Sequence, residues 1–184
     1  SEMCIRDRIR TFLEYVAFIE LKKSRFSYEI LTAIGNGKSR FSEILSRIPG
    51  ITSANLSQQL NILISLEIVE KVSPINSQND SRKTFYTISD NLIRFFFTYI
   101  HMNRSAITRI GEDSFYSMHI RQSLNTFISY RFEGIVRDYF SLRVKAGRIM
   151  DVMDIGTYWY DDRARHVNGE FDCVLMHPDN SYDV

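Results

Sequence analysis

Between residues 26 and 88 the spacing of apolar residues changes once, from three or four to two, and no other feature of this chain restricts its fold as strongly. Phe26, Ile30, Leu31 and Ile34 recur at helical spacing and stop at Gly35-Asn36-Gly37, a helix terminator followed by a turn. Phe41, Ile44, Leu45 and Ile48 give a second short amphipathic helix that ends at Pro49-Gly50. A third spans 52–66, with Leu56, Leu60 and Leu63 on its inner face. Residues 68–72 then alternate as a strand, 76–80 supply turn residues, and 82–88 return as a second strand.

Three helices and a β-hairpin in that order are a winged helix-turn-helix. The segment resembles the winged-helix family over about 26–88. The resemblance makes 52–66 the recognition helix, with Ser53, Ser57, Gln58 and Asn61 facing outward, and 76–83 the wing, with Arg82 and Lys83. Gln and Asn can pair bidentately with adenine edges in the major groove. The outward helix face carries no Lys or Arg, although phosphate contacts usually dominate affinity. Basic groups stand nearby, at Lys38, Arg40, Arg47, Arg82 and Lys83. DNA contact and packing between domains, for which exposed Ile62 and Ile64 would serve, both remain open. The glycine that commonly ends such a helix is replaced by Glu67, so a left-handed cap there would cost roughly 1 kcal/mol or more.

Bulk properties exclude several classes. With 23 Lys and Arg against 22 Asp and Glu in 184 residues, no global field draws the chain to nucleic acid or anionic lipid, so DNA affinity has to come from local patches. The longest apolar run, 92–100, is interrupted by Arg94 and falls far short of the ~20 residues a bilayer span needs. Cys4 and Cys173 lack metal-ligand spacing, and a reducing cytoplasm is expected. Met3-Cys4-Ile5-Arg6-Asp7-Arg8 looks like the translation of a transposon-end adapter used in DNA sequencing, and residues 1–8 are set aside. A helix is expected over 9–21 and a basic hinge over 22–25. The chain reads as an internal piece of a longer protein.

Beyond the hairpin, 90–103 is apolar nearly all round and is expected as a central packing helix. Gly111 breaks it, and two further helices follow over 115–129 and 131–145, the second burying Phe132, Ile135, Val136, Tyr139, Phe140 and Val144. Strands are expected over 149–155, 157–160 and 171–176, with turns at Gly156, Asp161-Asp162 and Asn168-Gly169. The fold class is therefore mostly α with small β: a winged helix-turn-helix, a connecting helical segment over 90–129, and the start of an α/β domain over 130–184.

That last segment places Glu133 on a helix and Asp172 inside an apolar strand. A buried carboxylate is costly unless a metal or cation shares its site. Asp172 could instead pair with Arg163, Arg165 or Lys145, and Glu133 could be a solvated helix carboxylate. His166 and His177 read as surface or turn residues. Gly35-Asn36-Gly37-Lys38-Ser39 lacks the spacing and preceding strand of a phosphate loop.

Together with the winged helix, Phe132-Glu133, Ile155-Gly156-Thr157-Tyr158-Trp159 and Glu170-Phe171-Asp172 resemble the C-terminal region of archaeal-type P-loop ATPases, AAA-related proteins with a winged helix and a domain similar to the PD-(D/E)XK restriction-endonuclease fold. The resemblance implies Glu133 and Asp172 as catalytic carboxylates, with Asp172 a ligand of Mg2+. The Glu-x-Lys of that fold has no match here, and 181–184 look like the start of the strand that would carry it. ATP and Mg2+ are implied for an absent ATPase domain, and no cofactor for this segment itself. The leading expectation is thus a piece of an ATP-binding protein whose winged helix and nuclease-like domain engage DNA or a partner under nucleotide control. A free-standing winged-helix transcription regulator and a metal-dependent nuclease are the alternatives.

Overall fold

The computed structural model describes residues 26–184 apart from positions 79 and 163. The helix expected over 9–21, the hinge at 22–25, the adapter-like segment and Arg163 lie outside these residues. The protein is mostly helical with two small sheets, and its chain divides into two compact units. Among the described residues, one contains 26–71 together with Phe85–Tyr116; the other contains Val72–Thr84 together with Ser117–Val184.

In the first unit, α1 (Ser27–Gly35), α2 (Phe41–Arg47) and α3 (Ser53–Ser65) converge on one core. Ile30, Leu31, Ile44, Leu56, Leu60 and Leu63 are its fully buried residues, joined by Val69 of β1 (Val69–Val72) and Ile88 of β2 (Phe85–Ile88). The helical periodicity of the sequence thus points the leucines and isoleucines inward as expected. The two strands pair in a two-stranded sheet, and β2 extends its bonding through Tyr86 N–H to the Ser39 carbonyl at 2.8 Å. The second strand begins at Phe85 and not at residue 82, because Arg82 and Lys83 belong to a 3-10 turn.

The Gly35-Asn36-Gly37 terminator does two separate things. Gly37 turns the chain at φ +81°, and the next amide, Lys38 N–H, donates back to the Ala33 carbonyl at 2.9 Å. Gly35 instead admits a neighbour: a Cβ there would stand 2.8 Å from the Phe97 carbonyl carbon. At the end of α3 the same left-handed closure falls on a residue with a side chain. Glu67 has φ +57°, and Ile68 N–H donates to the Leu63 carbonyl at 3.0 Å. Relief of this backbone strain in Glu67→Gly, net of the extra freedom glycine gains when unfolded, is expected to stabilise the unit by about 0.5–1 kcal/mol in urea melts.

The segment expected as one central helix over 90–103 changes pitch instead. Asp90 caps its start, accepting from Leu92 N–H at 2.8 Å and Ile93 N–H at 2.9 Å. One α-helical stretch, α4 (Asn91–Phe95), passes into a wide π-turn (Phe96–Ile100) and a 3-10 turn (His101–Asn103). The wide turn brings Phe96, Phe97 and Tyr99 all into the interior. His101 lies against the rings of Tyr28, Phe96 and Phe97, and burial, reinforced by the Arg104 charge, lowers its pKa. Helices α5 (Arg104–Ile110) and α6 (Glu112–Phe115) follow, separated by Gly111 at φ +81°.

The second unit is built on α7 (Leu124–Lys145) and a three-stranded sheet in the order β3 (Asp154–Asp162), β4 (Val167–Met176), β5 (Tyr182–Asp183). The helix expected over 115–129 is corrected here to a π-turn (Tyr116–Ile120) followed by the start of α7, which runs through Tyr130 and Arg131 without a break and takes in the helix expected over 131–145. Its expected burial is corrected too. Phe132, Ile135 and Tyr139 are more than half exposed, while Val136, Phe140 and Val144 are half-buried.

The strands of the sheet are antiparallel. Gly156 is no turn: it pairs with Val174, and the register shifts before Tyr158 meets Phe171, which makes the glycine part of a bulge within a continuous strand. Asn168 and Gly169 likewise lie in a strand, opposite Asp161 and Tyr160. Reversal happens after Asp162, whose carboxylate accepts from Ala164 N–H and Arg165 N–H at 3.1 Å each, and His166 takes φ +52°.

Candidate nucleic-acid interface and the helix–strand carboxylates

Thr52 sets where α3 starts, its hydroxyl accepting from Asn55 N–H at 3.2 Å. With Leu56, Leu60 and Leu63 turned inward, the opposite side presents Ser53, Ser57, Gln58 and Asn61, and all four are exposed. The apolar residues on the flanks do not form an exposed patch. Ile62 is half-buried, and Ile64 packs against the core.

The basic groups of the first unit surround the shorter helix. Lys38, Arg40 and Arg47 are exposed, and the Arg40 guanidinium lies 5.2 Å above the Phe85 ring. Glu43 secures the start of α2, accepting from Arg40 N–H at 3.1 Å and Ser39 N–H at 3.2 Å. These bonds, the Arg40 amide first, hold its carboxyl below the usual range.

The wing carries charge that is already engaged. Arg82 is 88% exposed, yet its Nε donates to Asp80 at 3.2 Å. Arg82, through its side-chain bond first, lowers the Asp80 pKa. Lys83 Nζ donates to Ser77 Oγ at 3.1 Å.

Within the second unit the wing also docks on β3. Asn76 acts as a one-residue strand partner: its Nδ2 donates to the Trp159 carbonyl at 2.6 Å, and its Oδ1 accepts from Trp159 N–H at 3.3 Å. Gln78 Nε2 donates to the Asp154 carboxylate. Ile75, 8% exposed, occupies the space that a Cβ at Gly156 would take. The sequence reading missed these four contacts. Ile75, a β-branched apolar residue inside a run of polar ones, was the available signal, since a solvated wing has no use for it.

Of the two carboxylates, Glu133 lies half-buried on α7 and Asp172 on β4 is exposed. The premise that Asp172 is buried in an apolar strand is therefore corrected. Burial in β4 is confined to Val174 and Leu175, and the strand is solvated before them. The two elements do meet: Arg137, one helical turn beyond Glu133, donates from Nη1 to the Asp172 backbone carbonyl at 2.8 Å. Among the described residues, no three His, Cys, Asp or Glu gather where they could share an ion, and no step is derived through a metal. His166 is exposed in the turn after β3. His177 bonds the Asp151 carbonyl through Nδ1 at 2.7 Å and Asp183 through Nε2 at 3.0 Å, both of which raise its pKa. Cys173 is half-buried with a free thiol, and burial raises its pKa. No described helix is long and apolar enough to cross a membrane.

Comparison with known proteins divides the chain between residues 91 and 96. Residues 21–91 match the family model described as HxlR-like helix-turn-helix, and residues 96–182 match one described as archaea bacterial proteins of unknown function. A relative from Methanocaldococcus jannaschii, the uncharacterized protein MJECL04, is 30% identical over 158 residues, covering 83% of this chain and 35% of the relative. The chain thus spans about a third of the length of that relative. No solved structure matches.

Proposed function

We propose that this chain supplies a DNA-binding winged helix whose α3 enters the major groove, with Gln58 and Asn61 as base readers and Ser53 and Ser57 as backbone contacts. The observation that carries the reading is the exposed polar row on the third helix of a segment similar to HxlR-like helix-turn-helix proteins. The row has no cation, so phosphate attraction comes from Lys38, Arg40 and Arg47, and Arg82 contributes only by leaving Asp80. Affinity is therefore modest, and its salt dependence is shallow, about 0.9 log units per phosphate contact.

Selection from random duplexes, followed by fluorescence anisotropy across a salt series, tests this. Gln58→Ala is expected to weaken the selected duplex by about 1–3 kcal/mol and to relax base preference at one position. Arg47→Ala is expected to weaken all duplexes alike and flatten the salt slope by about one unit. Absence of salt-sensitive duplex binding would overturn the reading.

In the longer protein, the module is read as the DNA-engaging end of an archaeal-type ATPase, as the family resemblance implies. Two observations support this: the helix-turn-helix match adjoins the unknown-function match, and the relative extends well beyond the shared region. Nucleotide-dependent DNA affinity in the full-length gene product, unchanged by Asp172→Ala, would separate this reading from a metal-dependent nuclease.

A further inference from the structure

Helix α7 carries an apolar row that the described residues of its unit leave more than half exposed. Ile128, Phe132, Ile135, Tyr139 and Leu142 follow one another at intervals of four and three residues, and each is between 52% and 65% exposed. Single exposed apolar residues are ordinary, but five in one continuous stripe on a 22-residue helix are not. The opposite side of the helix leans on the sheet through Arg137, so the row faces away from its own strands. Alternation of four and three is the seam of a two-helix coiled coil.

We propose that α7 pairs with α7 of a second copy of this chain as an antiparallel coiled coil. The flanking charges select this occupant. Setting Phe132 against Ile135 of the second copy, and Tyr139 against Ile128, brings Arg131 beside Asp138 of the second copy, and the two-fold axis repeats the pair. Along one helix these two residues are about 10 Å apart and cannot serve each other. A parallel pairing would set Arg131 beside Val136 instead. It would also offer Asp138 only Arg143, whose Nη1 already donates to the Tyr139 hydroxyl at 2.8 Å.

Sedimentation equilibrium of the whole 184-residue chain over a range from micromolar upward is the test. A monomer–dimer equilibrium is expected. Ile135→Asp, at the centre of the seam, should raise the dissociation constant by roughly tenfold or more. Arg131→Asp should also weaken the dimer, and adding Asp138→Arg to it should restore much of the loss, since the reversed charges meet again only across an antiparallel pair. The charge variants lie at the rim and keep the test valid even where Ile135→Asp reduces folding, which circular dichroism monitors. A chain that stays monomeric throughout, a dimer indifferent to Ile135→Asp, or a double variant no tighter than Arg131→Asp would each overturn the proposal. The first outcome would assign the row to another segment, such as residues 9–21 or a part of the longer protein.

Discussion

Leu60→Ala is expected to destabilise the first unit by about 2–5 kcal/mol, seen as a fall in the urea midpoint followed by circular dichroism. Leu60 is 1% exposed and lies between the fully buried Leu56 and Leu63 on the inner face of α3. Truncation removes its transfer free energy and also leaves a cavity in the core cluster that α3 shares with α1 and α2. The outward row rides on the same helix, so DNA affinity should fall only as the folded fraction falls and recover on cooling toward maximum stability. Ser57→Ala, one turn away on the exposed face, is the control and should stay within about 0.5 kcal/mol of the parent. An unchanged midpoint for Leu60→Ala would contradict the packing of α3 and, with it, the placing of the polar row.

That contrast shows why the first unit was readable from sequence and much of the second was not. In 26–66 each helix is apolar on one side only, so periodicity alone decides which residues are inside. The closing position at Glu67 was readable too, although the missing glycine marked a left-handed cap there as costly, and the chain adopts it nonetheless. Helix α7 is apolar on two sides, and periodicity cannot say which side the sheet covers. Phe132 and Ile135 were accordingly assigned to the interior and emerged exposed. Asp172 failed for a related reason: apolar neighbours in sequence imply burial only where another layer covers the strand, and β4 is buried only at Val174 and Leu175. At Gly35 the terminator was placed correctly, but its need for glycine lies in the approach of Phe97, a contact far away in sequence. The wing carried the opposite trap. Its two cations suggested DNA, while Ile75, Asn76 and Gln78 commit the loop to β3.

The attachment of the wing to β3 should be undone by Gly156→Val, at a cost of about 1–3 kcal/mol in the second unit and toward the top of that range. The Cβ added at this position would overlap Ile75 Cγ2, which belongs to a stiff β-branched side chain and not to the yielding end of a long one. Either Ile75 leaves its place or the strand bulge does, and both moves break the two bonds by which Asn76 grips the Trp159 backbone. Trp159 is the chain's one tryptophan and is half-buried, so its emission reports the event directly. A red shift on Gly156→Val is expected, together with a lower urea midpoint followed by tryptophan emission, while the helical signal of the first unit persists. Asn76→Ala removes the same two bonds without steric conflict and should give a smaller shift in the same direction. Unaltered emission in both variants would mean that the wing does not dock on β3, and Arg82 and Lys83 would then regain the standing that their charge suggested for DNA.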